Sequence, residues 1–251
     1  MLVTDLDGTL LGGEAPWRRA LYRWLRDHRQ EVLHIFCTGR QLASIAALLA
    51  EEEALGLPNP HLVIGDVGCT VACGATLAPV PALVNPIEQR WRGLPERLRP
   101  LMEALPGVEP QPIHTERRLA YLLHGEGPAP EHVEAIRSRG ADVVVSDNRY
   151  LDVLPPGVNK GSTLLALLDW LEIGHRSVVT AGDTLNDLAM FETGLAGVMV
   201  GNAEPALVET VAAAELPRLY RAQAPGCAGI VEGLHHFGYG PLLADFPRVV
   251  L

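Results

Sequence analysis

The sequence predicts an α/β fold with a mainly parallel central sheet, into which a smaller α+β domain is inserted. Short apolar, β-prone runs alternate with helical segments in the first part of the chain, and the same alternation resumes after Pro155-Pro156-Gly157. Between them, from about Pro79, the order changes to helix, two strands, helix, two strands. We therefore predict a Rossmann-like core domain made of residues 1–78 and 157–251, and a cap domain made of residues 79–156.

The first part of the core opens with a strand that ends in Asp5-Leu6-Asp7-Gly8-Thr9. Alternate residues of an extended strand point to the same side, so Asp5 and Asp7 can face one volume, and the glycine turns the chain away from them. The elements predicted next are a helix from Pro16, a strand from Glu31 to Phe36, a helix from Gln41 to Glu53 and a strand from His61 to Ile64. Loops that follow parallel strands meet at one edge of the sheet, where Asp5, Thr38 and Asp66 are expected.

The inserted domain and the rest of the core follow from the same patterns. Pro79, Pro81 and Pro86 predict a linker into the insert. The insert is predicted to contain a helix from Ile87 to Leu105 that is interrupted by Gly93-Leu94-Pro95, and strands from Val108 to Ile113 and Arg118 to Leu123. A helix from Pro130 to Arg139 and strands from Asp142 to Val145 and Tyr150 to Leu154 are predicted to follow. The core then resumes with a helix that Asn159-Lys160-Gly161-Ser162 leads and that runs to about Leu171, a strand from Ser177 to Ala181 and a helix opened by Gly182 to Asp187. A strand from Gly197 to Val200, a short helix after Glu204, an edge strand from Leu216 to Tyr220 and a helix from Gly229 to Phe237 are predicted to follow.

The composition excludes several classes of function. The formal net charge of −10 and the pI of about 5.3 argue against a surface that binds nucleic-acid phosphates or anionic lipid. No apolar run is long enough to span a bilayer, and the first residues lack the layout of a signal peptide, so we expect a soluble cytoplasmic protein. The four cysteines lack the spacing of a zinc site. The oligomeric state does not follow from the sequence.

Four carboxylates are expected to meet at the edge of the core sheet: Asp5, Asp7, Asp183 and Asp187. The last two are four residues apart and would share a face if both were helical. Like charges about 4 Å apart repel by roughly 4 kcal/mol per pair at an effective dielectric constant near 20. Such a cluster predicts a divalent cation, and an all-oxygen ligand set beside a phosphate indicates Mg²⁺.

Groups that can hold a phosphate are predicted at the same edge. Lys160 supplies a positive charge, and the Thr38 hydroxyl and neighbouring loop amides supply hydrogen-bond donors. One carboxylate can then attack phosphorus to form an aspartyl-phosphate, while the acid two residues away protonates the leaving alcohol and later activates water. The alternative, a strand-to-turn connection with solubilising acids, explains the Asp-Leu-Asp-Gly-Thr string only when it is considered alone.

These motifs resemble those of the haloacid dehalogenase-like hydrolase superfamily. Its four motifs match Asp5-Leu6-Asp7-Gly8-Thr9, Thr38, Lys160 and Gly182-Asp183-x-x-Asn186-Asp187. The position of the insert, between the second and third motifs, is similar to the capped sugar-phosphatase branch. The phrases Leu151-Asp152-Val153-Leu154-Pro155, Asn159-Lys160-Gly161 and Gly201-Asn202-Ala203 are most similar to the sucrose-phosphate phosphatase family.

The resemblance implies a role for each matching residue. Asp5 would be the nucleophile and Asp7 the general acid and base, with Thr38 and Lys160 completing the catalytic set. The implied metal ligands are Asp5, Asp7, Asp183 and Asp187, and the implied phosphate-binding residues are Thr38, Gly39, Lys160 and Asn186. We expect substrate contacts from Arg40, Asp66, Gly68, Arg118, Ser146 and Asn148, although the loop of Asp66 and Gly68 is equally explained as a tight turn.

The predicted function is a Mg²⁺-dependent phosphatase for a small phosphorylated sugar such as sucrose 6-phosphate, with the cap closing over the sugar. Phosphatases of other compatible-solute precursors are alternatives, with mannosyl-3-phosphoglycerate, glucosylglycerol phosphate or mannosylfructose phosphate as substrate. A non-catalytic sugar-phosphate-binding regulator is an alternative from another class. A phosphotransferase or mutase also remains open, because an aspartyl-phosphate can pass to a sugar hydroxyl.

Overall fold

A computed structural model describes residues 1–52, 56–125, 127–240 and 246. The predicted end of the second helix, Glu53, lies outside these residues. In the described part of the chain the strands are β1 (Leu2–Thr4), β2 (His34–Cys37), β3 (Leu62–Gly65), β4 (Thr70–Cys73), β5 (Val108–Pro110), β6 (Leu119–Leu123), β7 (Asp142–Ser146), β8 (Tyr150–Leu154), β9 (Val179–Gly182), β10 (Ala196–Met199) and β11 (Leu219–Arg221). The helices are α1 (Ala15–Asp27), α2 (Leu42–Glu51), α3 (Pro81–Trp91), α4 (Leu94–Glu103), α5 (Pro130–Arg137), α6 (Lys160–Trp170), α7 (Leu188–Phe191), α8 (Pro205–Ala213) and α9 (Gly226–His236).

The larger sheet has seven strands in the order β11-β10-β9-β1-β2-β3-β4. All neighbours are parallel except β3 and β4. Strand β1 lies in the middle, with Leu2 opposite His34 of β2 and Val179 of β9. The parallel α/β core is therefore confirmed, and the loops that follow β1, β2 and β9 meet at one edge of the sheet.

Helices cover both faces of this sheet, as the apolar runs of its strands require. On one face, Leu21 of α1 and Ile230 of α9 pack against the sheet. On the other, Leu164 and Leu167 of α6 are fully buried against Val3. Helix α9 lies close to its strand because Gly233 has no side chain; a Cβ there would lie 2.3 Å from a methyl carbon of Val198. The core thus holds β1 rigidly from both sides.

The smaller sheet is antiparallel, in the order β5-β6-β8-β7. Its apolar face packs against α4 and α5 through residues that include Leu98, Met102, Ile136 and Leu151. The inserted α+β module is therefore present between the two parts of the core. Its exact boundaries, residues 79–156, stay a prediction.

Two parts of the fold differ from the sequence-based expectation. The predicted linker with Pro81 and Pro86 is wrong, because these residues belong to helix α3. Pro81 begins the helix, where an N–H is not needed for an intrahelical hydrogen bond. The interruption predicted at Gly93-Leu94-Pro95 is present, because helix α3 ends before Gly93 and α4 begins after it, and Gly93 has a left-handed φ of 75°. The antiparallel edge strand β4 was not predicted.

One further finding concerns the length of the helices. Within residues 1–52, 56–125 and 127–240, we find no helix that is both apolar enough and long enough to cross a membrane.

Candidate active site

The loops after β1, β2 and β9 line one side of a cavity of about 630 Å³, and residues of the smaller sheet line the other. The core side includes Asp5, Thr38 and Asp183, and the cap side includes Ser146 and Asp152. This arrangement follows from the topology, because the strand ends carry the polar residues to the edge that the cap covers. Its size suits a small ligand.

A buried lysine lies at the base of the site between two carboxylates. The Nζ of Lys160 donates hydrogen bonds of 2.6 Å to Oδ1 of Asp5 and 2.6 Å to Oδ1 of Asp187, and its side chain is fully buried. Burial alone would lower the pKa of Lys160, but the two carboxylates outweigh it and raise that pKa. Lys160 is also the only lysine in the chain, since the other basic residues among its 20 are arginines.

Asp183 lies beside Asp5 at the end of β9. Its Oδ1 accepts a 2.6 Å hydrogen bond from the Thr9 hydroxyl. Burial, together with the charges of Asp5 and Asp187, raises the pKa of Asp183 to about 8. Burial likewise raises the pKa of Asp5 to about 7, although Lys160 opposes this rise. The positive charge of Lys160 therefore does not balance the negative charges of the buried carboxylates.

That shortage of charge supports a cation at this point. Carboxylate oxygens of Asp5, Asp183 and Asp187 lie within 4.8 Å of one another. Asp187 already uses both oxygens: Oδ1 accepts from Lys160, and Oδ2 accepts from the backbone N–H groups of Asp183 and Thr184 at 2.9 and 3.0 Å. Asp5 and Asp183 are left with free acceptor capacity, and an all-oxygen set of this kind fits Mg²⁺.

The expected helix face shared by Asp183 and Asp187 is not formed. Asp183 precedes the single turn Leu185–Asp187, and Asp187 folds back to accept from the N–H of Asp183. This close return needs Gly182, where a Cβ would lie 2.4 Å from Cγ of Asp187. Gly8 meets a similar demand, since its φ is +80° and a Cβ there would lie 2.1 Å from Oδ2 of Asp183.

Asp7 is held by an arginine at the rim of the cavity. The guanidinium of Arg40 donates from Nε to Oδ2 at 2.8 Å and from Nη2 to Oδ1 at 2.7 Å. Its third nitrogen, Nη1, donates to the Ser44 hydroxyl at 3.1 Å. This two-pronged contact fixes the orientation of the Asp7 carboxylate, which is more than half exposed to the cavity.

Arg118 of the cap makes hydrogen bonds to the core. It is buried and donates from Nε to Asp66 Oδ1 at 3.2 Å, from Nη1 to Asp152, and from Nη2 to the Gly39 carbonyl at 2.8 Å. Burial lowers the pKa of Arg118, but the carboxylates of Asp152 and Asp66 outweigh this effect. The net shift of that pKa is upward, so Arg118 stays charged. The cap is thereby joined to the loop that carries Thr38.

Comparison with known proteins decides the family. A family model described as sucrose-6F-phosphate phosphohydrolase matches residues 1–238. The chain belongs to the sucrose-6F-phosphate phosphohydrolase family. The predicted superfamily and branch are thus confirmed, and membership places the chain among the phosphoric monoester hydrolases.

The relatives of this family member are named for different sugar phosphates. A glucosylglycerol-phosphate synthase of Pseudomonas anguilliseptica is 40% identical over 240 residues; the match covers 95% of this chain but only 31% of that protein. The mannosylfructose-phosphate phosphatase of Agrobacterium fabrum is 34% identical over 250 residues and is matched over 98% of its length. The sucrose-phosphatase of Synechocystis, solved with sucrose and phosphate, superposes with a TM-score of 0.85 at 25% identity, covering 94% of this chain and 96% of that one.

The structure brings most of the predicted residues of this phosphohydrolase family member together. Those that line the cavity are Asp5, Asp7, Thr38, Gly39, Arg40, Arg118, Ser146, Asp183 and Asn186. Lys160 lies behind Asp5 and donates a hydrogen bond to it, and Asp187 is connected to the site by accepting from Lys160. Asp66, Gly68 and Asn148 are not among the lining residues: Asp66 pairs with Arg118, and Gly68 packs against the Asn159 peptide.

Several polar residues of the site were missed by sequence reasoning. Asp152, Gln111 and Tyr150 line the cavity from the cap, and Glu204 contacts its rim through Asp147. Asp152 lies in the phrase Leu151-Asp152-Val153-Leu154-Pro155 but was assigned no role from it. The other three belong to no motif, and their proximity depends on how the cap sits on the core. Lys160, which was predicted, has a further signal in the composition, since a sole lysine among arginines marks a position where a compact ammonium is required.

Proposed function

We propose that this chain hydrolyses the phosphate monoester of a small glycoside through an aspartyl-phosphate at Asp5, with Mg²⁺ as cofactor. The observation that carries the proposal is the environment of Asp5. One carboxylate oxygen is held by Lys160, and the other has no hydrogen-bond partner among the described residues. The free oxygen belongs to a cavity that Asp7 also lines.

In the first step, the free oxygen of Asp5 forms a bond to phosphorus, and the bond from phosphorus to the sugar oxygen breaks. Asp7 donates its proton to that departing oxygen. In the second step, water attacks phosphorus and gives its proton back to Asp7, while the bond between phosphorus and Asp5 breaks and inorganic phosphate is released. Arg40 orients the ionised form of Asp7 through its paired contacts, and one of these contacts would open when an Asp7 oxygen carries the proton.

The phosphoryl oxygens would be held by the Thr38 hydroxyl, the loop at Gly39 and the Asn186 amide. Mg²⁺ would bind Asp5 and Asp183, with the Asp7 carbonyl as a further ligand, and when bound it neutralises negative charge on the phosphoryl group. Asp187 would act at one remove, by orienting Lys160 and the Asp183 backbone.

The substrate that we favour is a disaccharide phosphate of the sucrose 6-phosphate type. The family match and the likeness to a sucrose-phosphatase solved with sucrose and phosphate support it. A second candidate is glucosylglycerol phosphate, because a glucosylglycerol-phosphate synthase is 40% identical to the chain over 95% of its residues.

The test is a panel of phosphate esters assayed with Mg²⁺ for phosphate release: sucrose 6-phosphate, mannosylfructose phosphate, glucosylglycerol phosphate, mannosyl-3-phosphoglycerate and glucose 6-phosphate. We expect the first to have the highest kcat/KM; a higher value for glucosylglycerol phosphate would move the assignment to the second candidate. Conversion of a sugar phosphate to its isomer without phosphate release would instead indicate a mutase.

Asp5→Asn tests the chemistry. An amide cannot form the acyl-phosphate, so we expect turnover to fall by at least about 10⁴-fold while the fold is kept. The matched control is Asp169→Asn, an exposed acid on α6, which should leave kcat and KM unchanged. Phosphate release by Asp5→Asn at the normal rate would refute the nucleophile, and failure of the normal protein to release phosphate from any ester would favour the binding regulator.

A further inference from the structure

Glu204 connects the cap to the catalytic loops, although it belongs to no motif used by the proposed mechanism. It directly precedes helix α8, yet its side chain makes no capping hydrogen bond to that helix. Instead, Oε2 accepts a 2.8 Å hydrogen bond from the N–H of Asp147 in the cap, and Oε1 accepts from the N–H of Leu185 in the core. One carboxylate therefore holds two backbone N–H groups, one from the cap and one from the core.

Both of these N–H groups need an outside acceptor. Asp147 is the second residue of a tight turn between β7 and β8, closed by the 3.1 Å hydrogen bond from Arg149 N–H to Ser146 carbonyl. In such a turn the second N–H is not used internally. Leu185 begins the turn Leu185–Asp187, and the first N–H groups of a helical turn likewise lack internal partners.

The backbone around Glu204 is itself tied to the site. The N–H of Glu204 donates to the Asp183 carbonyl at 2.8 Å. Two residues earlier, the Asn202 side chain donates to the Gly8 carbonyl at 2.9 Å and accepts from the Gly226 N–H at 2.8 Å. The Glu204 carboxylate is thus anchored to the core loops, and its contact with Asp147 transmits that position to the cap.

We propose that Glu204 is a positioning residue that holds the β7–β8 turn of the cap against the catalytic loops, and so stabilises the closed cavity. The inference rests on the proposed function for its kinetic part. The carboxylate is needed because both of its oxygens accept; the amide of Gln offers one acceptor and one donor, so one N–H would lose its partner. Loss of a hydrogen bond to a charged group weakens the closed arrangement about 10- to 100-fold.

Glu204→Gln should therefore raise KM for the fastest substrate of the panel, by at most the roughly 10- to 100-fold factor by which the closed arrangement is weakened, because only the closed fraction binds tightly. kcat should stay within about twofold, since bound sugar closes the cap at saturation. Glu209→Gln, an exposed acid on the same helix α8, is the matched control and should change neither. A fall in kcat with KM unchanged would refute the proposal, because it would restrict the effect of Glu204 to the core loop.

Amide hydrogen exchange, measured without substrate on the complete chain, tests the contact independently of catalysis. The N–H of Asp147 should be protected in the normal protein and exchange at least about 10-fold faster in Glu204→Gln, with α6 amides unchanged as a check on folding. An unprotected Asp147 amide in the normal protein would overturn the proposal without any variant. If no ester is hydrolysed, the proposed function fails, and the exchange result still decides whether Glu204 holds the cap.

Discussion

Replacing Lys160 by Met should destabilise the fold and abolish turnover, because it removes the cation between Asp5 and Asp187. Each carboxylate lies 2.6 Å from the ammonium, which corresponds to about 6 kcal/mol of attraction at an effective dielectric constant of 20. Desolvation of the ammonium offsets much of this. Removing one partner of a buried ion pair costs about 3–5 kcal/mol, which corresponds to a fall in Tm of about 6–20 °C for a chain of this size.

The pH dependence distinguishes this electrostatic cause from a simple packing defect. Burial already raises the pKa of Asp5 to about 7 and that of Asp183 to about 8, and loss of the Lys160 charge should raise the pKa of Asp5 further. A raised carboxyl pKa means that the folded protein binds protons more tightly than the unfolded chain, so stability increases as the pH falls through that pKa. The deficit of the variant should therefore shrink between pH 8 and pH 5.5.

The assay is urea unfolding followed by circular dichroism at both pH values, with EDTA present so that no metal replaces the lysine charge. Arg176→Met removes an exposed cation and should change the free energy of unfolding by no more than about 0.5 kcal/mol. A deficit below about 1 kcal/mol for Lys160→Met, or one of equal size at pH 8 and pH 5.5, would refute the reasoning.

Two further predictions concern the metal and a buried histidine. Millimolar Mg²⁺ should raise the Tm of the normal protein but not that of Asp183→Asn. At 100 times the Kd the normal protein should gain about 2.7 kcal/mol in free energy of unfolding, and equal Tm shifts in both proteins would exclude Asp183 as a ligand. Burial lowers the pKa of His34 to about 3, so below pH 6.5 only the unfolded chain takes up this proton, and stability falls with pH. Between pH 7.5 and 5 this group should cost about 2 kcal/mol, measured as the difference from the pH dependence of unfolding of His34→Gln; parallel profiles would refute it.

The sequence predicted the parts of the site that local chemistry specifies. Asp5, Thr38 and Asp183 each follow an apolar strand, and parallel topology alone brings such strand ends together. The antiparallel strand β4 was missed because it is a short edge strand that the patterns did not separate from the preceding loop. Helix α3 was read as a linker because Pro86 lies inside it, where proline normally disfavours a helix.

What remained unpredicted depends on contacts across the domain interface. Arg118 meets Asp66 and Gly39 only because the cap sits on the core, and no spacing within either domain encodes that meeting. The same holds for Glu204 and Asp147, which are 57 residues apart. Such pairs are specified by the relative placement of two folded units, which periodicity and motif spacing do not describe.

The sole lysine gives this protein a built-in chemical reporter. Reagents that acylate amines react with accessible, neutral amino groups, and the Nζ of Lys160 is fully buried between two carboxylates. With no second lysine in the chain, side-chain acylation can occur only when this interior opens to solvent. The fraction of molecules that carry the mass increment at Lys160 therefore measures how often this interior opens, and no engineered label is needed.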